Sequence, residues 1–310
     1  MKRILVTGGA GAIGSNLVAA LSREQGASVT VLDNGSSGRF ASVPKSARLV
    51  RGDVADEKLL GKVLREPFAE IYHLAAFFAN QNSCDHPLDD FRTNALGTAL
   101  LLEGALRLKS LKVLLFASTS SLKGDLDAGL AEGFSTPYMT SKFVGELYGR
   151  YFRRVHRLPF KTVRYYNCYG PGEFPGRYRN VIINFIDLAL RGKSLPITGE
   201  GKETRDFTFV DDIVSGTLAV ARSKKTKDLV YEIGTGKETR IVDLARAINR
   251  LTGNAAPLRF VAQRSWDKTL RRRADFSLAR RHAGYRPTVD LEAGLKRTIE
   301  WYKKVGRTGP

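Results

Sequence analysis

The stretch that decides the fold is Thr7-Gly8-Gly9-Ala10-Gly11-Ala12-Ile13-Gly14, residues 7–14. A short apolar run, residues 3–7, leads into it, and apolar residues that recur every four positions follow it. The first pattern is typical of a buried strand and the second of an amphipathic helix. A glycine-rich turn between them brings backbone N–H groups and a helix N-terminus to a diphosphate. Gly8 allows the tight turn, Gly11 lets the backbone approach the phosphates, and Gly14 lets the helix pack on the strand.

Two acidic residues are spaced to serve the same ligand. Asp33 ends the second predicted strand, about 20 residues past the turn, where a carboxylate binds a ribose diol and repels a 2′-phosphate, which favours NAD over NADP. In Asp33-Asn34-Gly35 the same residue also suits a turn. Asp53 ends the third predicted strand, where it can meet the adenine. Capping of the helix near Asp56 is an equally open interpretation.

Short apolar runs alternate with helix-like stretches through the first half of the chain. Such alternation predicts an α/β fold, a Rossmann-type doubly wound parallel sheet with helices on both faces. A Gly/Pro-rich loop then ends near Gly176, and a less regular pattern predicts a smaller α/β substrate-binding domain. We expect an NAD-binding domain over 1–170 and a substrate-binding domain over 171–310, with part of 205–235 packed back on the first. The predicted strands cover 3–7, 29–32, 48–51, 70–74, 112–117 and 160–164, and the predicted helices include 56–64, 89–108, 138–155, 181–191, 211–221, 241–251 and 291–305.

The composition excludes several classes of protein. The 310 residues are 43% hydrophobic and 26% charged, which is ordinary for a globular chain. Two cysteines and four histidines form no disulfide framework and no metal-ligand spacing, so we expect no metal. No apolar run approaches the ~20 residues of a membrane span, so we expect a cytoplasmic protein without one. The net charge of +19 suits nucleic acid, an anionic membrane, or a solvated basic surface that also attracts anionic substrates, and the absence of a nucleic-acid motif favours the solvated surface.

A candidate acid–base pair follows a predicted helix start. Thr136 suits the cap and Pro137 the first turn of that helix. Tyr138 and Lys142 are four residues apart and therefore share one helix face. A neighbouring ammonium favours the phenolate, so we expect Lys142 to lower the pKa of Tyr138 and make it a usable base. By itself this spacing is common by chance, and a surface pair is the competing interpretation.

Together with the glycine turn, the pair makes the chain resemble the extended short-chain dehydrogenase/reductase superfamily, in its branch of nucleotide-sugar epimerases and dehydratases. The pattern is closest to UDP-hexose 4-epimerases and extends over essentially the whole chain. The matching motifs are TGGAGAIG (7–14), LDN (32–34), GDV (52–54), HLAA (73–76), NALGT (94–98), FASTSS (116–121), YMTSK (138–142), RYYNCYGP (164–171), RDFTFVDD (205–212), EIGTG (232–236) and RSWD (264–267).

The resemblance implies roles for residues that periodicity alone does not assign. Tyr138 would be the acid/base, Lys142 its partner, and Thr119 the residue that hydrogen-bonds the reacting sugar hydroxyl. Asn94 would support the cofactor site through backbone contacts, and His73 is either beside the cofactor or a packed core histidine. The implied cofactor-binding residues are Gly8, Gly11, Ala12, Ile13, Gly14, Asp33, Asn34, Asp53, Val54, Leu74, Ala75, Ala76, Asn94, Tyr138, Lys142 and Tyr165. The implied substrate-binding residues are Thr119, Asn167, Asn184, Arg205, Arg264 and Asp267, of which the arginines would clamp the diphosphate.

Departures from the family pattern narrow the reaction. Dehydratases of the branch follow the Thr with an Asp-Glu pair, and decarboxylases usually carry a Glu at the second position. This chain has Ser120 and Ser121 instead, which favours 4-epimerisation of a UDP-sugar through a 4-keto intermediate without net redox. Lys123 stands where the family commonly has Tyr, and beside the sugar pocket it would suit an acidic sugar.

Two other functions stay open, and the resemblance adds an expectation about assembly. One alternative is a nucleotide-sugar reductase or dehydrogenase with net redox. The other is a non-catalytic NAD-bound protein that uses its basic surface, for example on nucleic acid, although such proteins usually lose Tyr138 or Lys142. The family commonly forms dimers through the helix of the Tyr-Lys pair and the helix before it, so we expect a homodimer.

Overall fold

The computed structural model describes residues 1–127, 129, 134–226, 230–263 and 269–305. Its strands are β1 (Lys2–Thr7), β2 (Ala27–Asp33), β3 (Arg48–Arg51), β4 (Glu70–His73), β5 (Val113–Thr119), β6 (Phe160–Tyr165), β7 (Cys168–Tyr169), β8 (Pro196–Thr198), β9 (Thr204–Arg205), β10 (Thr208–Phe209), β11 (Val230–Ile233), β12 (Thr239–Arg240), β13 (Arg259–Val261) and β14 (Arg271–Arg272). Its helices are α1 (Ala12–Leu21), α2 (Glu57–Val63), α3 (Asn80–Asp85), α4 (Pro87–Asp90), α5 (Gly97–Ala105), α6 (Leu122–Asp127), α7 (Pro137–His156), α8 (Val181–Leu190), α9 (Val210–Arg222), α10 (Ile241–Thr252), α11 (Ser277–Ala283) and α12 (Leu291–Val305). A π-helical turn, Phe91–Leu96, joins α4 to α5.

The main sheet has seven parallel strands in the order β11-β6-β5-β4-β1-β2-β3. This confirms the predicted Rossmann-type fold. The strand order reverses at β1, which pairs with β2 on one side and β4 on the other. In doubly wound sheets the ligand crevice opens at the carboxyl ends of the strands at this reversal, so the fold directs attention to the ends of β1, β4 and β5.

Two hydrophobic clusters cover the faces of the sheet. On one face, α1 and α9 pack with residues such as Leu17 and Ile213. On the other face, α2, α5 and α7 pack over side chains that include Leu101 and Phe160. Burial of apolar surface on both faces explains why the strands are nearly continuous apolar runs.

Two glycines of helix α7 allow the helix to pack closely on the sheet. A Cβ at Gly145 would lie 2.6 Å from the Phe116 ring, and one at Gly149 would lie 2.0 Å from the Phe160 ring. Neither contact leaves room for a side chain. Because these glycines have no side chains, the helix that carries Tyr138 and Lys142 can pack directly against β5 and β6.

The segment 205–235 contributes to the main sheet. Strand β11 extends it by pairing with β6, and α9 packs on β5 and β6. The rest of the second half forms small sheets, β12-β9-β14 and β13-β8, beside α8, α10 and α12. The boundary at residue 170 stays a prediction. Among the helices of the described part, none combines the length and apolar character needed to cross a bilayer.

Candidate active site

A cleft of about 960 Å³ runs along the carboxyl ends of the central strands. Nearly all the predicted cofactor and substrate residues line it. Those lining it are Gly8, Gly11, Ala12, Ile13, Gly14, Asp33, Asn34, Asp53, Val54, Leu74, Ala75, Ala76, Thr119, Tyr138, Lys142, Tyr165, Asn167, Asn184 and Arg205. Asn94 lies behind the wall, and Arg264 and Asp267 fall outside the residues that the structure describes.

The glycine turn has the shape of a diphosphate cradle. Gly8 has a positive φ of 72°, and a Cβ there would lie 2.6 Å from the Ala75 nitrogen. A Cβ at Gly14 would lie 2.1 Å from the Gly8 carbonyl oxygen. Gly11 caps α1, and its Cβ would meet only that oxygen, at 3.4 Å, among the described residues beyond its chain neighbours. The space beside Gly11 is thus cleft, where a bound phosphate can approach the start of α1.

The two acidic residues at the strand ends also organise the loops around them. Asp33 accepts hydrogen bonds from the Ala10 N–H at 2.9 Å and the Gly35 N–H at 2.8 Å. Asp53 accepts from the Asn34 amide at 2.7 Å and from a backbone N–H two residues on. Asp33 therefore makes the turn contact that the sequence suggested. It also lines the cleft, and its contact with a ribose stays a prediction.

The predicted catalytic group comes together at the end of β5 and the start of α7. Thr136 caps α7 by accepting from the Met139 N–H at 3.3 Å. One residue past Pro137, Tyr138 is buried, and its phenol hydrogen-bonds the Thr119 side chain. Lys142 is fully buried one turn later and donates to the Ala117 carbonyl at 2.9 Å.

The electrostatics of the pair differ from the expectation. Burial lowers the pKa of Lys142 to about 8, against the charges of Asp90 and Glu146, which raise it. Burial also raises the pKa of Tyr138, with a further rise from Asp90, whereas the Thr119 hydrogen bond lowers it. The prediction that Lys142 lowers the phenol pKa is wrong for this structure, because desolvation outweighs the attraction of an ammonium that binds a carbonyl oxygen instead.

A buried ion pair that the sequence did not reveal stands behind the catalytic helix. Glu146, one turn after Lys142, accepts two hydrogen bonds from the Arg164 guanidinium, both at 2.8 Å. It also accepts from the Ser118 hydroxyl at 2.6 Å. Glu146 is fully buried and Arg164 nearly so. The pair joins α7, β6 and the end of β5, and thereby fixes the strand end that carries Thr119.

His73 and Asn94 are supporting residues. His73 lies between the hydroxyls of Thr7, at 2.7 Å, and Thr98, at 2.9 Å, and burial lowers its pKa to about 3. Of the two interpretations of His73, the structure therefore supports the packed core histidine, which is neutral. Asn94 bonds the backbone N–H of Phe77 at 2.9 Å and its carbonyl at 3.2 Å. It thus holds the loop after β4 from behind, as the resemblance implies.

The predicted substrate residues are partly engaged by the protein itself. Asn167 donates to the carbonyl of Asp206 at 3.1 Å, and Arg205 donates to backbone carbonyls, including that of Thr269 at 3.0 Å. Asn184 bonds both backbone groups of Gly176, so it organises the loop before α8 while facing the cleft. Tyr165 bonds Thr217 at 2.7 Å through its hydroxyl and is also one of the residues that line the cleft.

The positions that narrow the reaction lie as expected, with one exception. Ser120 and Ser121 are buried at the cleft wall beside Thr119. Lys123 does not line the cleft; it bridges to Glu232 at 3.3 Å. Lys123 is the second residue of α6, and Glu232 pairs with its ammonium outside the cleft, so the structure removes the reason for expecting an acidic sugar.

Comparisons with known proteins agree with this geometry. The model of the NAD dependent epimerase/dehydratase family matches residues 4–234. A UDP-glucose 4-epimerase of Mycolicibacterium smegmatis is 33% identical over 97% of this chain and 98% of its own length. A UDP-N-acetyl-alpha-D-glucosaminuronate decarboxylase of Bacillus cytotoxicus is 31% identical over 98% of both chains. Relatives at this distance therefore catalyse more than one reaction.

Solved structures show the same fold. The epimerase Mth375 of Methanothermobacter thermautotrophicus has a TM-score of 0.94 and 38% identity, over 99% of this chain and 94% of that one. The enzyme WbmF of Bordetella bronchiseptica, in complex with NAD+ and UDP, has a TM-score of 0.88 and 37% identity over the same shares of the two chains.

Proposed function

This chain belongs to the NAD-dependent epimerase/dehydratase family, and we propose that within it the protein is a nucleotide-sugar epimerase that acts at C4 without net redox. The observation that carries the proposal is the wall of the cleft beside Tyr138. Thr119, Ser120 and Ser121 present hydroxyls there, where dehydration or decarboxylation would need a carboxylate. Epimerisation needs only a group that moves one hydroxyl proton and a bound hydride carrier.

NAD is the cofactor of the family, and the residues of the cleft fit it. The space beside Gly11 accepts a diphosphate, and the carboxylates of Asp33 and Asp53 reach the same groove. When bound, NAD supplies an acceptor for a hydride from the sugar carbon and a donor that returns it.

The proton chemistry belongs to the chain itself. Tyr138 takes the proton of the sugar 4-hydroxyl and later gives it back, while Thr119 orients that hydroxyl. Lys142, whose pKa burial lowers to about 8, carries a positive charge at neutral pH and donates to the Ala117 carbonyl, which holds the end of β5 against the start of α7. The buried pair of Glu146 and Arg164 holds both strand end and helix in place. Protons and hydride are both returned, so no cofactor is consumed.

We propose a UDP-sugar as the substrate. Relatives named for UDP-sugars support this class, and the complex of WbmF holds UDP. Arg205, Asn167 and Asn184 line the second half of the cleft, and we propose that they bind the anionic nucleotide together with Arg264 and Asp267, which lie outside the described residues. The net charge of +19 attracts such a substrate at long range.

The test is a panel of UDP-, GDP-, CDP- and dTDP-sugars followed by proton NMR, with the absorbance of NADH recorded in parallel. The epimerase interconverts one pair of 4-epimers with no net NADH. Release of CO₂ or loss of water from the sugar, or a stoichiometric NADH change, would assign a different reaction of the family. Tyr138→Phe should lower the rate by about 100-fold or more while NAD stays bound, because general acid–base catalysis contributes that much.

We also propose a homodimer through one apolar face of the catalytic helix. Helix α7 packs beside α4 and the π-helical turn. Together they expose large apolar side chains, which is unusual on the surface of a monomer when they lie side by side. These side chains are Leu88, Phe91, Leu147, Tyr148, Tyr151 and Val155.

A further inference from the structure

Asn80, the first residue of α3, lies at the wall of the cleft where three catalytic segments meet. Its side-chain oxygen accepts a hydrogen bond from the Thr136 hydroxyl at 2.9 Å. Its amide nitrogen donates to the Ser121 hydroxyl at 3.4 Å. Sequence motifs gave no sign of Asn80, because its partners lie 41 and 56 residues away along the chain.

These contacts belong to a ring of hydrogen bonds around the catalytic tyrosine. The Asn80 carbonyl accepts from the Ser83 hydroxyl at 2.7 Å, and that hydroxyl accepts from the Tyr138 N–H at 3.0 Å. On the other side, the Ser121 N–H donates to the Thr119 hydroxyl at 3.1 Å. Asn80 thus joins the end of β5 to the start of α7.

The orientation of the Asn80 amide follows from hydrogen-bond chemistry. The Thr136 hydroxyl already accepts the Met139 N–H as the helix cap. Its single proton is donated to the Asn80 side-chain oxygen, and the Asn80 amide nitrogen lies on the side of Ser121. The amide NH₂ consequently faces Ser121 and the cleft. One of its two N–H groups points to Ser121, and no hydrogen bond among the described residues uses the other.

The geometry points to Asn80 as a specificity-determining residue, whose second N–H donates to an oxygen of the sugar beside the hydroxyl that reacts. The inference rests on the proposed nucleotide-sugar function and deepens it. Thr119 and Tyr138 hold the reacting hydroxyl, and Ser121 and Asn80 extend the same polar wall by one more position. Phe78, edge-on to the Tyr138 ring at 6.1 Å, forms an apolar neighbour, so the polar contact is confined to one side.

It follows that different residues bind the sugar and the nucleotide of the substrate. Asn80 contributes to recognition of the sugar, whereas the nucleotide is held elsewhere, near Arg205 and Asn167. A change at Asn80 therefore alters the affinity that the sugar adds to the nucleotide, and leaves the affinity for the nucleotide alone unchanged.

The experiment compares Asn80→Val with a matched control, Asn82→Val, on the NAD-bound full chain. Affinities for UDP, UDP-glucose, UDP-galactose and UDP-N-acetylglucosamine are measured by calorimetry, together with kcat and KM for any sugar that is turned over. In Asn80→Val, UDP binds as in the wild type, and the extra affinity given by the best sugar falls about 10-fold, as expected for loss of one hydrogen bond in a closed site. Asn82→Val makes the same change in the same helix and removes a hydrogen bond to the Phe78 carbonyl, but Asn82 does not line the cleft, so this variant retains the sugar preference.

Each other outcome decides against the inference. Equal weakening of UDP and UDP-sugar in Asn80→Val, or the same loss of sugar preference in both variants, would show that Asn80 acts only through the position of α3 on α7. An unchanged sugar preference would remove its contact with the substrate. If the wild type binds no UDP, the proposed function itself fails, and that result is distinct because it appears before any substitution.

Discussion

Substituting Gly11 with alanine should weaken NAD binding strongly while changing the stability of the fold only slightly. The backbone at Gly11 has φ −73° and ψ 175°, an extended conformation that alanine adopts without strain. The added Cβ would lie 3.4 Å from the Gly8 carbonyl oxygen, an ordinary contact distance. Alanine is a poorer helix cap than glycine, so we expect a loss of about 0.5–1 kcal/mol in the free energy of unfolding.

The effect on NAD is expected to be larger. The same Cβ stands in the space through which a diphosphate approaches the start of α1. Forcing one extra carbon into a close-packed contact costs about 1–3 kcal/mol. At 1.4 kcal/mol for each factor of ten, this weakens NAD binding by about 5- to 150-fold.

Two measurements on nucleotide-free protein test the argument, namely calorimetric titration with NAD and urea unfolding. Gly14→Ala serves as the contrast, because its Cβ would lie 2.1 Å from a backbone oxygen and must displace the helix. We expect Gly14→Ala to lose stability and NAD affinity together, and Gly11→Ala to lose mainly affinity. The reasoning is refuted if Gly11→Ala binds NAD as tightly as the wild type, or if its unfolding free energy falls by more than about 2 kcal/mol.

Three further predictions concern charge and assembly. Since burial lowers the pKa of Lys142 to about 8, the ammonium loses its proton as pH rises through that value, and kcat/KM should fall above about pH 8; a flat profile from pH 7 to 10 would contradict this role. Glu146→Ala leaves the Arg164 guanidinium buried without its partner and should lower the unfolding free energy by about 3–5 kcal/mol in urea, whereas the control Arg150→Ala, which removes an exposed partner 3.8 Å from the same carboxylate, should cost less than about 1 kcal/mol. Tyr151→Glu, in the exposed face of α7, should convert a dimer to a monomer in light scattering; a wild type that is already monomeric would disprove the proposed assembly.

The parts of the fold that the sequence predicted are those with local signals. Strands buried on both faces appear as short apolar runs, so the predicted 48–51 coincides with β3, and the predicted 112–117 differs from β5 only at its ends. The glycine turn and the cap at Thr136 are also local, because their roles depend on neighbours in the chain. Helix α3 has no apolar period and was missed, although it carries Asn80.

The parts that escaped prediction depend on distant residues. The partner of Glu146 lies 18 residues away on β6, and nothing in the helix around it indicates a buried arginine. The pKa of Tyr138 depends on burial by the whole site, which spacing to Lys142 does not reveal. Lys123 has the charge that would suit an acidic sugar, but Glu232, 109 residues later, determines where its side chain lies. Sequence patterns therefore predicted which residues line the cleft more reliably than which residues contact them.

Because Gly149 contacts the Phe160 ring, the size of that ring sets the distance between helix α7 and strand β6. Helix α7 is continuous from Pro137 to His156, so a displacement of the helix at Gly149 also moves Tyr138, which lies about 16 Å away along the helix axis. Phe160 itself does not line the cleft. A larger or smaller side chain at position 160 would shift the start of α7 relative to Thr119. The distance between Tyr138 and Thr119 would then change, although no residue that lines the cleft is altered.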